Sequence, residues 1–239
     1  MAWPSPYNSC AMSDAENDRR EEREGMEEVY RELTALGNRV ESVVADCVLA
    51  LVEQDDELAS TLREDNFRTR DAWLALDKTC TERMSSEGLN EWKARFLSAT
   101  IKIGVDMKKM ADESFVILEQ MHNLSATGNM RSEFLERIPR MADLTQDILG
   151  KSVEALVHQE PSEARPAKTL HRKLASLNEE AFDEITADLS KGETSARGAV
   201  SLILIARTLQ KIGDYALDIS IHVRRLFGNN HEEVQPKES

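Results

Sequence analysis

The sequence predicts an all-α protein: two tandem three-helix bundles, six long helices in all, with an internal duplication. Three observations predict it. Charged residues make up 31% of the 239 positions and aromatics only 5%, with 10 Gly and 6 Pro, a balance that suits long amphipathic helices better than short strands with frequent turns. Apolar residues recur at alternating steps of four and three, the spacing that keeps one face of a helix dry. Two blocks of sequence also return after about 100 residues, too long a period for a solenoid unit and suited to a duplicated small domain.

Residues 1–24 open with Pro4, Ser5 and Pro6 and continue as a charged stretch with no apolar core, so they are expected to form a flexible arm rather than a signal peptide. The first helix is marked by Val29, Leu33, Leu36, Val40, Val43, Cys47 and Leu51 and should run to Gln54. Glu27 and Glu28 sit near its N-terminus, where the helix dipole favours negative charge. A more polar second helix is expected over 57–85. Ser85, Ser86 and Gly88 end it.

The third helix carries Phe96, Thr100, Ile103, Met107, Met110, Ser114, Ile117 and Met121 on one seam. A break at Ser125 to Asn129, including Gly128, separates it from a fourth helix over 131–158. Pro161 and Pro166 precede a fifth over 165–190, and Gly192 precedes the sixth. That last helix has an unbroken seam of Leu202, Ile205, Leu209, Ile212, Ala216, Ile219, Val223 and Leu226, the pattern that packs at shallow angles in bundles. Residues 229–239 are polar and read as a flexible tail.

The duplication is visible residue by residue. Val48, Ala50, Leu51, Val52 and Gln54, followed by acidic Asp55, return 105 positions later as Val153, Ala155, Leu156, Val157 and Gln159, followed by Glu160. Arg95, Ile101, Ile103, Lys109 and Asp112 return 102 positions later as Arg197, Ile203, Ile205, Lys211 and Asp214. Shared charged positions at one offset distinguish a true repeat from two unrelated amphipathic helices. The expected units are residues 25–125 and 129–228.

Composition also bounds function. The net charge of −14, spread along the chain, repels a phosphate backbone and argues against nucleic-acid binding. No run approaches the ~20 apolar residues that span a bilayer. The odd set Cys10, Cys47 and Cys80, in no CxxC spacing, suits a reduced, cytoplasmic compartment. Glu119 and His122 form a single E-x-x-H with no second copy to complete a di-iron site. With no G-x-S-x-G, P-loop or HExxH present, nothing marks an enzyme. Lys102, Lys108 and Lys109, followed by Arg131, Arg137 and Arg140, read as a solvated basic face or one that meets an acidic partner or a phosphate group.

In the sixth helix the segment from Ile205 to Ile219, Ile-Ala-Arg-Thr-Leu-Gln-Lys-Ile-Gly-Asp-Tyr-Ala-Leu-Asp-Ile, resembles the signature of the PhoU family, and Ile103 to Ile117 is a fainter copy. The resemblance covers residues 26 to 227. It implies a cytoplasmic helical adaptor between a phosphate ABC transporter, through its ATPase, and a phosphate-sensing histidine kinase. Such an adaptor keeps the phosphate-starvation response off when phosphate is plentiful, and in this family it is often a homodimer.

The resemblance also implies iron or zinc on acidic E/D-x-x-x-D motifs of the third helix in each repeat. Here the leading acid is replaced by Lys108 and Gln210, leaving Asp112 and Asp214, with Asp218 one turn beyond. An ammonium cannot ligate a cation and an amide is a poor substitute for a carboxylate. Asp112, Asp214 and Asp218 remain the candidate metal residues, beside the reading that they belong to a solvated acidic face. Two further readings stand beside the adaptor: a metal-binding helical protein, and an accessory protein of a low-affinity phosphate permease.

Overall fold

A computed structural model describes residues 25–125 and 133–228, apart from the side chains of residues 63–66, 125 and 133–136. The expected arm 1–24, the tail 229–239, Cys10, Arg131 and the 126–132 connection lie outside the described residues. The described residues form six helices: α1 Glu27–Glu53, α2 Asp56–Met84, α3 Glu91–Ser125, α4 Glu133–His158, α5 Arg165–Lys191 and α6 Ala196–Phe227. No strand occurs among the described residues.

The three seams read from the sequence all point inward. Every seam residue of α1, α3 and α6 named above is buried. Cys47 and Cys80 are free and buried, and burial pushes both thiols up to about 12, so they behave as small apolar residues.

The turns obey local chemistry. The Asp55 carboxylate accepts hydrogen bonds from the backbone N–H groups of Glu57 and Leu58 at 3.0 and 2.9 Å, capping α2. The Ser195 hydroxyl does the same for α6 through the Gly198 N–H at 3.0 Å. Pro166 falls in the first turn of α5, where a missing N–H costs nothing. Pro139 lies inside α4, a proline the helix absorbs.

The first repeat block turns out to encode a helix stop. Gln54 and Gln159 both take left-handed backbone conformations with φ of 56°. The following N–H groups, from Asp55 and Glu160, reach back to the carbonyls of Ala50 and Ala155 at 2.9 and 3.1 Å. Equivalent residues thus close α1 and α4 in the same way.

Helices α1–α3 pack together, as do α4–α6, but the most extensive packing joins the two halves through α3 and α6. These two run antiparallel. The Arg95 guanidinium on α3 meets the Arg225 carbonyl on α6 at 3.5 Å, Lys109 lies over the Tyr215 ring at 5.1 Å, and Lys211 pairs with Glu113 at 3.0 Å. The last two contacts are copies of each other: Lys109 and Lys211 are 102 residues apart, and so are Glu113 and Tyr215. A pseudo-twofold axis therefore passes through the motif region.

A second contact between the halves runs from α1 to α4. The Tyr30 hydroxyl donates to the carbonyl of Leu156 at 3.1 Å and also approaches that of Val157, satisfying the open C-terminal end of α4. Within the second half, the Thr145 and Ser152 hydroxyls on α4 lie 3.3 and 2.7 Å from the carbonyls of Leu209 and Ala216 on α6. The buried apolar side chains of both halves form one continuous core.

Gly213 marks a close approach of α5 to α6. A Cβ there would sit 2.5 Å from Leu174 Cδ2, and Leu174 is fully buried. Ala111 holds the equivalent place in α3 and accommodates its methyl. Gly213→Ala gains about 1 kcal/mol of helix propensity but meets an overpacking cost of ~1–3 kcal/mol. The expected result is a net loss of about 1 kcal/mol, measured as a lower urea midpoint.

Candidate functional site

The two motif copies lie on the outer shoulders of α3 and α6, facing α2 and α5, and they have become chemically different. In the first, Lys108 Nζ sits 2.5 Å from Asp112 Oδ2, so the carboxylate is already engaged by the cation that replaced the family's acid. Arg70 and Trp73 of α2 stand beside it, with Lys109, around an open groove of about 510 Å³.

In the second copy Asp214 Oδ1 receives His171 Nε2 from α5 at 2.6 Å and Gln210 Nε2 at 2.9 Å. Gln210 Nε2 and His171 Nε2 are 3.2 Å apart. The imidazole must carry hydrogen on Nε2 to donate to the carboxylate, so the amide donor is directed at Asp214 rather than at the ring. A closed triangle of His171, Asp214 and Gln210 results.

The three candidate metal residues are engaged differently. Asp112 is held by Lys108 and Asp214 by His171 and Gln210. Asp218, exposed, acts electrostatically on Asp106 and His222. No group of three or more His, Cys, Asp or Glu side chains that could hold a metal occurs among the described residues. The first copy does not fit a divalent ion, because cations surround its carboxylate. The second offers one imidazole and one carboxylate, with the amide nitrogen of Gln210, not its oxygen, turned to them. Glu119 and His122 are both exposed.

No sequence pattern gives His171, Arg70 or Trp73 a role. Arg137, read as part of a basic face, bridges α4 to α5 by pairing with Glu180 at 2.8 Å and also with Glu184.

Between the copies, on the α3–α6 seam, lies a polar cluster the sequence did not mark. Asp106 is buried, bonded to Lys109 at 3.3 Å. Burial raises its carboxyl above the usual value, against the pull of Lys109. His222 is lowered from 6.5, first by burial, with Asp106 and Asp218 opposing and Lys102 and Arg225 assisting. A lowered imidazole means the unfolded chain binds the proton more readily, so stability rises with pH across the interval from the folded pKa to 6.5. The stability contributed by neutral His222 is thus present above 6.5 and lost as pH falls below it. Unfolding free energies measured between pH 7.5 and about 5.5 should decline for the wild type and decline less for His222→Asn.

The comparisons agree with this architecture. The model of the PhoU domain matches residues 33–121 and again 138–223. A "Phosphate-specific transport system accessory protein PhoU homolog" from Pseudomonas putida is 25% identical over 199 residues, spanning 82% of this chain and 76% of the homolog. A "Phosphate-specific transport system accessory protein PhoU homolog 1" from Methanothermobacter thermautotrophicus is 25% identical over 170 residues, 71% of this chain and 77% of its own. The crystal structure of PhoU from Pseudomonas aeruginosa superposes with a TM-score of 0.80 at 20% identity, covering 87% of this chain and 97% of that one. With two PhoU domain matches that coincide with its two bundles, this chain belongs to the PhoU family.

Proposed function

We propose that this protein is an accessory regulator of phosphate uptake that represses phosphate-starvation signalling, acting as a non-enzymatic adaptor between a phosphate ABC transporter and a sensor histidine kinase. Family membership supports the phosphate-transport setting, since the relatives are described as accessory proteins of the phosphate-specific transport system. Among the described residues no helix is long and apolar enough to cross a membrane, so on this reading these helices would meet a transporter through its exposed protein parts.

The observation that carries the adaptor reading is a set of apolar side chains left exposed on the second bundle. Val200 and Leu204 lie one turn apart on α6, 56% and 39% exposed. Phe182 of α5, 52% exposed, borders a shallow depression with Ile203, Ala206 and Arg207. The equivalent first-bundle positions are Ser98 and Lys102, so this face is particular to one half and is not a by-product of the repeat. Large apolar groups held in water at one place are what a protein partner covers.

Deleting the gene in its host should raise alkaline phosphatase expression in phosphate-rich medium, and complementation with Val200→Glu combined with Phe182→Glu should fail to restore repression while the variant remains folded by circular dichroism. Unchanged expression in the deletion strain contradicts the regulatory role. Full complementation by the double variant removes this face from it.

A further inference from the structure

We infer that the groove beside the first motif copy is a binding site for a nucleoside phosphate, a ligand class set by the cations, the aromatic walls and the acceptor that meet there. This goes beyond the regulatory reading and does not depend on it.

The groove has about 510 Å³ between α2 and α3 and is bordered by Phe67, Arg70, Trp73, Lys108, Lys109 and Asp112. That volume lies within the ~300–1,000 Å³ of small-molecule pockets and is far larger than a bare oxyanion needs. Three cations against one carboxylate give the lining a net positive charge, in a chain whose net charge is −14. Arg70 pairs with no described carboxylate, leaving its planar fork available to a phosphate oxygen pair. The side chains of Lys108 and Lys109 are held in place by Asp112 and Asp106, at 2.5 and 3.3 Å.

The aromatic groups set the rest of the ligand. Phe67 is 69% exposed, the most exposed of the large apolar side chains described. Trp73 is half-buried, its ring edge packed near Gly104. A large ring left in water beside a cationic cluster is accounted for when a planar ligand stacks on it. Asp112, tied to Lys108, adds a hydrogen-bond acceptor suited to a sugar hydroxyl or an exocyclic amine. Anion, ring and donor together describe a nucleoside phosphate.

The second bundle shows the contrast. Its Asp214 is closed by His171 and Gln210, and Lys108 is replaced there by neutral Gln210. One site per chain is therefore expected.

The test is titration of the full-length protein with ADP, without added metal, followed by tryptophan fluorescence and calorimetry. We expect saturable binding with a stoichiometry of one. Arg70→Ala should weaken it by about tenfold, as expected for loss of a bidentate charged contact. Trp73→Phe should abolish the fluorescence change while calorimetric binding persists. Phe67→Ala should weaken ADP and leave any weak orthophosphate binding unchanged. Phe67 and Arg70 are exposed, so these variants should retain the wild-type urea midpoint. No saturable heat with ADP up to ~5 mM, a range that would admit even millimolar affinity, overturns the proposal. So does ADP binding indifferent to both Arg70→Ala and Phe67→Ala, and so does orthophosphate binding as tightly as ADP.

Discussion

The antiparallel packing of α3 against α6 is the constraint on which the remaining structure depends. Each of these helices is the longest of its own bundle, and each must bury one face against its two sister helices and another against its counterpart. That double duty explains why each carries an unbroken buried seam along most of its length, and why small residues such as Ala111 and Gly213 occupy central positions. It also explains the mirrored contacts of Lys109 and Lys211, since a duplicated helix that pairs with its own copy repeats every contact across the axis. Tyr30 closing the end of α4 from α1 adds a second fastening between the halves.

Much of this was legible in one dimension because burial follows period. The four-and-three seams of α1, α3 and α6 give the core directly, and each seam residue is buried. The repeat block ending in Gln54 and Gln159 was visible as a repeat but not as a helix stop, since the left-handed position normally invites Gly or Asn. The groove was not legible. Phe67, Arg70 and Trp73 sit on α2, a helix with few buried apolar side chains, among them Leu62, Leu76 and Cys80. Which α2 residues face Lys108 depends on the rotation and shift of that helix against α3, and no local pattern encodes either. His171 illustrates the same gap: its partner Asp214 is 43 residues away.

Duplication fixed the scaffold and left the shoulders free to change. Repeated positions include most of the buried seam, the helix stops at Gln54 and Gln159 and a few exposed charges such as Asp112 and Asp214, whereas other equivalents diverge, from Ser98 to Val200, from Lys102 to Leu204 and from Lys108 to Gln210. At two of these three positions, Lys102 and Lys108, the first bundle is cationic where the second is apolar or neutral. In the first copy a lysine beside Asp112 replaces cation-binding chemistry with anion-binding chemistry, because an ammonium 2.5 Å from a carboxylate repels a metal ion from the oxygen it would need. On the function and ligand proposed above, the same exchange would give the two halves separate tasks, a protein-facing surface on one and a small-molecule groove on the other.

These tasks can communicate only if the halves behave as one cooperative body. Hydrogen exchange followed residue by residue under increasing urea measures this directly. The slowest-exchanging amides of α3, centred on Met107 and Met110, and those of α6, centred on Leu209 and Ile212, should share one opening free energy and one urea dependence. Two distinct isotherms, with α4–α6 exchanging through an unfolding that leaves α1–α3 protected, would contradict the account.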